Sequence, residues 1–451
     1  MAPESGSFYA DQFGAPDARQ GYQPLGREIT PMLEGRGNVL STSVGSPMGV
    51  HPCMAGITWG LPGLGGAFGF HMLSASRPTK ADPMQTDTRP AARRIFGAPL
   101  RYIQGPGALS ETGPTAAAIG LRALLIADAF VLDLLEEAVT ASCRQAGTQV
   151  TPLRFAGEIT PAEIERLVGA AHGLRADVVI AAGGGKGIDA GKAVAHRLRV
   201  PVITVPTIAS NDAPTSKIYV VYDEQHRLLK VEHMPCNPHA VIVDTALIAR
   251  APRKLLLAGI GDAISKKFEV EQCHAAQGPN MFAGLGTRAA LALADLCFET
   301  LLAHTDGALA ALEGQSPDDS LEAIVEANVL LSGLCFENGG LSVAHSMTRG
   351  LSALPGTAHE MHGLQVAYGT MVQWHLENRP PAFMEEMRAF YRRIGLPLNL
   401  QQLGLPRAPT EVDIDTLATL TLTAPHIRNF NRVLTAHDLS QAISALEAAT
   451  H

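Results

Sequence analysis

The sequence predicts an α/β domain built on a parallel sheet, followed by an all-helical domain and preceded by an extension of different character. Three observations carry this. Apolar runs alternate with helical patterns from about Ile95 to Pro252. A glycine-rich turn joins one of those runs to the next helix. Beyond Arg253, long Ala/Leu-rich helical patterns run to the end.

Taken in order, "RALLIADAF" (122–130) is an apolar run ending in Asp128, as a buried strand would. "TPLRFAGEIT" leads into "PAEIERLVGAAHGL", a helix with Pro161 in its first turn. "ADVVIAAGGG" reads as a second buried strand, "KGIDAGKAVAHRL" as a helix and "VPVITVPT" as a third strand. Strand, helix, strand, helix, strand is the pattern of a parallel sheet with right-handed crossovers. "HAVIVDTALIARAP" (239–252) supplies one more strand and a turn. "TRAALALADLCFETLLAHT" and "LEAIVEANVLLSGLCF" are read as long helices. The expected division is an extension over 1–93, an α/β domain over 94–250 and a helical domain over 251–451.

The chain has 451 residues, 46% hydrophobic and 17% charged, with a formal net charge of -8. That composition supports buried cores and, with no basic block, disfavours nucleic-acid binding. Six cysteines are scattered without C-x-x-C spacing, which argues against a disulfide framework or thiolate zinc site and suits a reducing cytoplasm. The first ninety or so residues mix Gly, Pro and both charge signs without periodicity. The apolar stretch 56–75 is Gly-rich and broken by Pro62, a poor membrane span. The start lacks the pattern of a secretory signal. This segment reads as a disordered extension or a mis-assigned start, with Met84 as the expected natural beginning.

The stretch "AAGGGKGIDAGKAVAHRL" (181–198) is where function enters. Gly183, Gly184 and Gly185 sit at the carboxyl end of a strand, where ligands bind in open α/β sheets. Missing Cβ atoms let a pyrophosphate approach the backbone, the next helix offers free N–H groups, and Lys186 can add a charge. A Walker loop is excluded by the glycine spacing and the lack of Ser or Thr after Lys186. The bland alternative is a tight strand-to-helix turn. Asp128, ending an earlier strand, suits adenosine ribose hydroxyls and would favour NAD over NADP; it would equally serve as a helix cap. The polar stretch 205–227 reads as a loop wrapping a polar ligand.

In the helical region Asp262 is placed near a helix start, His345 in a helix among small residues, and His359 and His362 just before an apolar helix. One carboxylate and two imidazoles leave a coordination position open, as in a catalytic zinc or iron site. Taken singly, each is as well explained as a cap or an ordinary helix-end residue.

The motifs "GGGKGIDAGKAVAH", "VPTIASNDAP", "AGIGDA", "FENGGLSVAHS" and "HGLQVAYGTMVQ" together resemble the glycerol dehydrogenase family, within the group-III metal-dependent alcohol dehydrogenases. The likeness runs in order from about Ile95 to the C-terminus. It implies the dehydroquinate synthase-like, iron-type alcohol dehydrogenase fold: an NAD-binding α/β domain and a helical metal-binding domain. It implies zinc, with iron second, on Asp262, His345 and His362, leaving His359 a bystander. It implies NAD held by Asp128, Gly184, Gly185, Lys186, Asp189, Thr207, Ser210, Ser216, Ile218 and Tyr222. Asp212 would bind a substrate hydroxyl beside His345, selecting vicinal diols. The implied reaction is oxidation of glycerol or a related diol, with hydride passing from a zinc-bound alkoxide to nicotinamide C4. A cytoplasmic homo-oligomer without nucleic-acid or membrane partners would be expected.

The sequence departs from that pattern at Lys217, Lys266, Thr348 and Arg349. Lys266 lies one helical turn after Asp262, where iron-type relatives have a fourth ligand, His, and glycerol dehydrogenases usually a small residue. A protonated lysine cannot ligate, which disfavours the four-ligand iron site. Three cations near one cleft would suit an anion such as a 2-hydroxy acid or glycerol phosphate; they would be bystanders if they face solvent or meet acids such as Glu269 and Glu360. A catalytically silent dinucleotide-binding protein is opposed by the intact ligand set. The dehydroquinate synthase branch is opposed because its substrate-phosphate pattern is not evident.

Overall fold

The computed structural model describes residues 93–225 and 227–449; the expected extension and the start at Met84 lie outside the described residues. Strand β1 (Arg101–Gly105) and helix α1 (Thr112–Ala117) lead into β2 (Arg122–Ala127), α2 (Ala129–Gln145), β3 (Gln149–Arg154), α3 (Pro161–Ala171), β4 (Val178–Gly183), α4 (Gly185–Leu198) and β5 (Val202–Pro206). A hairpin of β6 (Ile218–Tyr222) and β7 (Leu228–His233) precedes β8 (Ala240–Asp244). The main sheet has the order β1-β8-β5-β4-β2-β3, and every pairing in it is parallel.

The alternation of buried side chains explains why these runs became strands with helices on both faces. In β2, Ala123, Leu125 and Ala127 enter one core with Val131 and Leu135 of α2. Leu124 and Ile126 enter another with Ile164 of α3 and Ile188 of α4. Successive Cβ atoms of a strand point to opposite faces, so a run apolar at every position needs two cores. Chain order reverses at β2, which has β3 on one side and β4 on the other. The carboxyl ends of β2 and β4 therefore flank a topological switch point, the usual ligand crevice of such sheets.

The helical part comprises α5 (Thr245–Ile248), α6 (Arg253–Ala263), α7 (Ser265–Ala275), α8 (Arg288–Glu313), α9 (Asp319–Glu326), α10 (Ser332–Gly339), α11 (Val343–Leu351), α12 (His362–Leu376), α13 (Pro381–Ile394), α14 (Glu411–Thr421) and α15 (Ala436–Ala448). Its core includes Phe268, Tyr368, Trp374 and Tyr391. Among the described residues no helix is long and apolar enough to cross a membrane.

Three sequence expectations are corrected here. Asp262 is not near a helix start; it is the penultimate residue of α6. The polar loop expected over 205–227 carries β6, whose Tyr219 and Val221 are buried against α4. The helix expected over "LEAIVEANVLLSGLCF" is interrupted by a π-helical turn at Ala327–Leu331. That turn ties the two parts of the chain together. The Val329 carbonyl accepts from Thr215 Oγ1 at 2.6 Å, and Asn328 donates to the Ala209 carbonyl at 3.0 Å. Residues 209–215 are thus anchored to the helical part by groups that an uninterrupted helix would not present this way.

Candidate active site

At the switch point, Gly183 has a φ of 129°, a conformation that side chains avoid. Gly184 starts α4 without a side-chain cap. A Cβ on Gly187 would lie 2.7 Å from the Ala182 carbonyl oxygen, and one on Gly191 2.2 Å from the Ala181 Cβ. The glycines therefore do two things: they let α4 lie against β4, and they leave its first turn bare. Asp128 sits at the end of β2 and caps α2, its Oδ1 accepting from the Val131 N–H at 3.0 Å. Cap and ribose readings do not compete for the same oxygen, because the cap uses Oδ1 alone.

The other residues expected around a dinucleotide divide. Thr207 follows β5, and its Oγ1 is buried with no hydrogen-bond partner within the protein. Ser210 is buried and accepts from the Asn211 amide at 3.3 Å. Lys186 pairs with Glu158 and lies over the Tyr222 ring at 5.8 Å, so its charge is already offset. Asp189 points into the fold: it accepts from the Val220 N–H at 2.9 Å and lies 3.7 Å from Lys192. Burial raises its pKa to about 6. Ser216 and Ile218 serve the same anchor, Lys192 Nζ donating to Ser216 Oγ at 3.2 Å and to the Ile218 carbonyl at 2.8 Å. These three fix the loop from within.

In the helical part, α6, α11 and α12 bring Asp262, His345 and His362 together, one ligand atom from each lying within 4.8 Å of the others. His359, in the short 3-10 turn Thr357–His359, is exposed and outside the group. The close approach of α6 and α12 depends on glycines: a Cβ on Gly363 would lie 1.7 Å from the Ala258 carbonyl oxygen. Burial works against the charged form of Asp262, but Lys266, His345 and His362 outweigh it and hold its pKa well below the usual range. Burial pushes His362 down to about 4, so its ring is neutral and free to coordinate.

Glu269 is the functional residue that sequence reasoning missed, having counted it only as a nearby acid. It is fully buried on α7. Its Oε1 accepts from the backbone N–H groups of Ser342 and His345 at 2.8 and 2.9 Å, and its Oε2 lies 2.5 Å from His345 Nδ1. Burial opposes its charge, but His345 and Lys266 hold its pKa at about 2. Burial would also lower the His345 pKa, and Glu269 reverses this, to about 9. A carboxylate on Nδ1 orients the ring and directs Nε2 at the cluster, the usual support of a metal-binding histidine. The sequence signal is the spacing Asp262, Lys266, Glu269: four residues and then three along one helical face.

Asp212 closes the site from the loop after β5. Its Oδ2 accepts from Ser332 Oγ at 2.7 Å and lies 3.2 Å from Lys266 Nζ. Burial raises its pKa and Lys266 opposes that rise. Of the cations that suggested an anionic substrate, only Lys266 is at this site. Lys217 stacks over Phe282 at 4.3 Å, its backbone N–H going to Glu337. Arg349 donates to the Thr423 carbonyl at 3.3 Å. The cluster thus holds three carboxylates, Asp212, Asp262 and Glu269, beside Lys266 and the His345 imidazole.

This donor set fits a divalent ion: a carboxylate and two imidazoles, one braced by a buried carboxylate. The switch point fits a dinucleotide in its bare helix start and the orphaned Thr207 hydroxyl. Comparison with known proteins agrees. Residues 99–245 match the iron-containing alcohol dehydrogenase family. Glycerol dehydrogenase of Escherichia coli is 41% identical over 312 residues, covering 69% of this chain and 85% of that one. A glycolaldehyde reductase of Halobacterium salinarum is 41% identical over 324 residues, covering 72% and 88%. The crystal structure of glycerol dehydrogenase from Schizosaccharomyces pombe superimposes with a TM-score of 0.76 at 33% identity, over 79% of this chain and 91% of that one. Fold and ligand set define an alcohol dehydrogenase of the iron-containing class. The chain belongs to the glycerol dehydrogenase family within that class, a family that is NAD-dependent and metal-binding.

Proposed function

We propose that this protein oxidises glycerol or a related vicinal diol to the hydroxyketone with NAD, in the cleft between the sheet part (94–250) and the helical part (251–451). The observation that carries this is the meeting of Asp262, His345 and His362 beside Asp212, on the loop that leads out of the dinucleotide crevice. When bound on that triad, zinc would supply Lewis acidity toward a substrate hydroxyl and NAD the hydride acceptor. The chain's own residues do the rest. Asp212, steadied by Ser332, orients the second hydroxyl. Glu269 holds the His345 ring in place. Gly184, Gly185, Thr207 and Ser210 offer the dinucleotide backbone and hydroxyl groups, and Asp128 keeps one carboxylate oxygen for the ribose. Lys186, Asp189, Ser216, Ile218 and Tyr222 act by shaping the loop and the α4 start.

Zinc-supplemented enzyme offered glycerol, 1,2-propanediol, a 2-hydroxy acid and glycerol phosphate is expected to form NADH fastest on the neutral diols. Lys217 and Arg349, which would have recruited an anion, are engaged with Phe282 and the Thr423 carbonyl; faster turnover on the acid or phosphate would overturn this reading. Free, mostly buried thiols at Cys143, Cys273, Cys297 and Cys335 suit a cytoplasmic enzyme. Exposed Leu228, Leu229 and Val231 on β7 offer an apolar edge for a homo-oligomer, and a monomer by light scattering would remove that part.

Asp128→Gly is expected to shift cofactor preference toward NADP by about tenfold or more, as a charge against the 2′-phosphate is lost. Glycine at an N-cap costs only a few tenths of a kcal/mol, roughly, so the thermal midpoint should barely move. An unchanged NAD/NADP ratio of kcat/KM would count against Asp128 as the ribose reader.

A further inference from the structure

Lys266 is 1% exposed and sits inside the triad. Its Nζ lies 2.6 Å from Asp262 Oδ1, 3.1 Å from His345 Nε2 and 3.2 Å from Asp212 Oδ2. An ammonium has three N–H donors and no acceptor. Three polar atoms lie within hydrogen-bonding distance of it here, and two of the three belong to the candidate metal ligands. The seat is therefore complete for a lysine. It also places a unit positive charge where the donors would otherwise converge on a divalent ion.

The conflict is sharpest at His345. Its Nδ1 is committed to Glu269 at 2.5 Å. That leaves Nε2, the ring's remaining nitrogen, which must be free of a proton before it can bind a metal ion. The position facing that nitrogen is taken by the cluster, with Lys266 Nζ at 3.1 Å and Asp262 Oδ1 at 3.2 Å. Whether the proton on that line belongs to the ring or to the lysine, a metal ion must displace it to reach the ring. It must also share Asp262 Oδ1 with an ammonium at 2.6 Å. Nor has Lys266 an easy way out: Asp262 one turn earlier and the face of Phe336, at 5.5 Å, close over it.

We propose that Lys266 is the resident cation of this cluster and competes intramolecularly with zinc for the Asp262–His345 edge, so that the triad binds zinc only with Lys266 displaced. The proposal rests on the reading of Asp262, His345 and His362 as metal ligands. It gives the lysine control over whether the site is loaded.

The test is zinc binding itself, without substrate or NAD. Chelator-treated wild type, Lys266→Met and Lys266→Ala are titrated with zinc against a chromophoric chelator, with NAD binding by fluorescence as the check on folding. Both variants are expected to bind one zinc about a hundredfold or more tighter than wild type, the weight of one like charge at contact distance in a partly screened site. His362→Ala added to Lys266→Met should abolish the gain. Equal affinity in wild type and variants overturns the proposal, as does a failure of every variant to bind zinc. Should Lys266→Met and Lys266→Ala not fold, Lys266→Gln, which keeps hydrogen bonding and removes the charge, takes their place under the same two outcomes. Poor turnover of diols would sink the functional reading while leaving this result standing.

Discussion

His345→Ala is expected to lower kcat by on the order of a thousandfold or more while leaving NAD affinity within about twofold of wild type. The ring is the only group of the triad that is braced by a buried carboxylate and also touches Lys266, and Lys266 in turn touches Asp212. Removing it deletes one proposed metal ligand and takes away a partner of Lys266 and Asp262. The proposed dinucleotide crevice, at β2, β4 and α4 on the sheet part, shares no side chain with His345. Some stability should be lost, because Glu269 keeps two backbone donors but loses its charged partner; about 1–3 kcal/mol is the scale. Glu269→Gln keeps the shape of the brace and weakens its charge, and should cost activity about 10–100-fold, between wild type and His345→Ala. Steady-state rates and NAD-binding fluorescence separate the outcomes. Loss of NAD binding in His345→Ala would mean that the two ligands do not occupy separate parts of the chain.

Gly363→Ala should be the most damaging small substitution near the site. Local propensity argues the other way, since alanine in a helix is favoured over glycine by about 1 kcal/mol. The new Cβ, however, would lie 1.7 Å from the Ala258 carbonyl oxygen and 2.6 Å from its carbon. Backbone cannot step aside as a side-chain tip can, so α6 and α12 must move apart. Overpacking of this kind costs about 1–3 kcal/mol or more, which outweighs the propensity gain. Asp262 is four residues along α6 from Ala258, and His362 immediately precedes Gly363. Separation of the helices therefore opens the triad as well as the core. A lowered thermal midpoint together with weakened zinc binding is the expected pair of results. A midpoint at or above that of wild type would show that the helix contact is not what holds the triad closed.

Much of this was legible in the chain. The runs around Leu125, Ile180 and Ile203 are apolar at consecutive positions, short, and bounded by turn residues, which favours a strand between two cores over a buried helix. Gly183, Gly184 and Gly185 mark the strand-to-helix turn because their missing side chains are local facts. The triad residues were legible only as candidates: each alone could be a cap or a helix-end residue, and the resemblance to a family picked them out together. Less legible were features set by partners far along the chain. Tyr219 and Val221 belong to the β-prone run Ile218–Tyr222, a strand signal masked by the polar residues on either side. The π-helical turn at Ala327–Leu331 breaks no local rule; its Val329 carbonyl is simply claimed by Thr215, more than a hundred residues away.

The sequence by itself determined the class of protein, the alternation of strand and helix around the glycine-rich turn, and which residues are candidates to hold a metal. Hydrophobic period, glycine placement and residue chemistry are properties of short stretches, and they survive without knowledge of the fold. Only the tertiary structure decided what each polar residue does. It sent Lys217 to Phe282 and Arg349 to the Thr423 carbonyl, turned Asp189 inward, and gave His345 its Glu269 brace. It also set Lys266 among Asp212, Asp262 and His345. A buried polar group takes its role from the partner that satisfies it, and those partners come from three different parts of the chain that only folding brings within hydrogen-bonding distance.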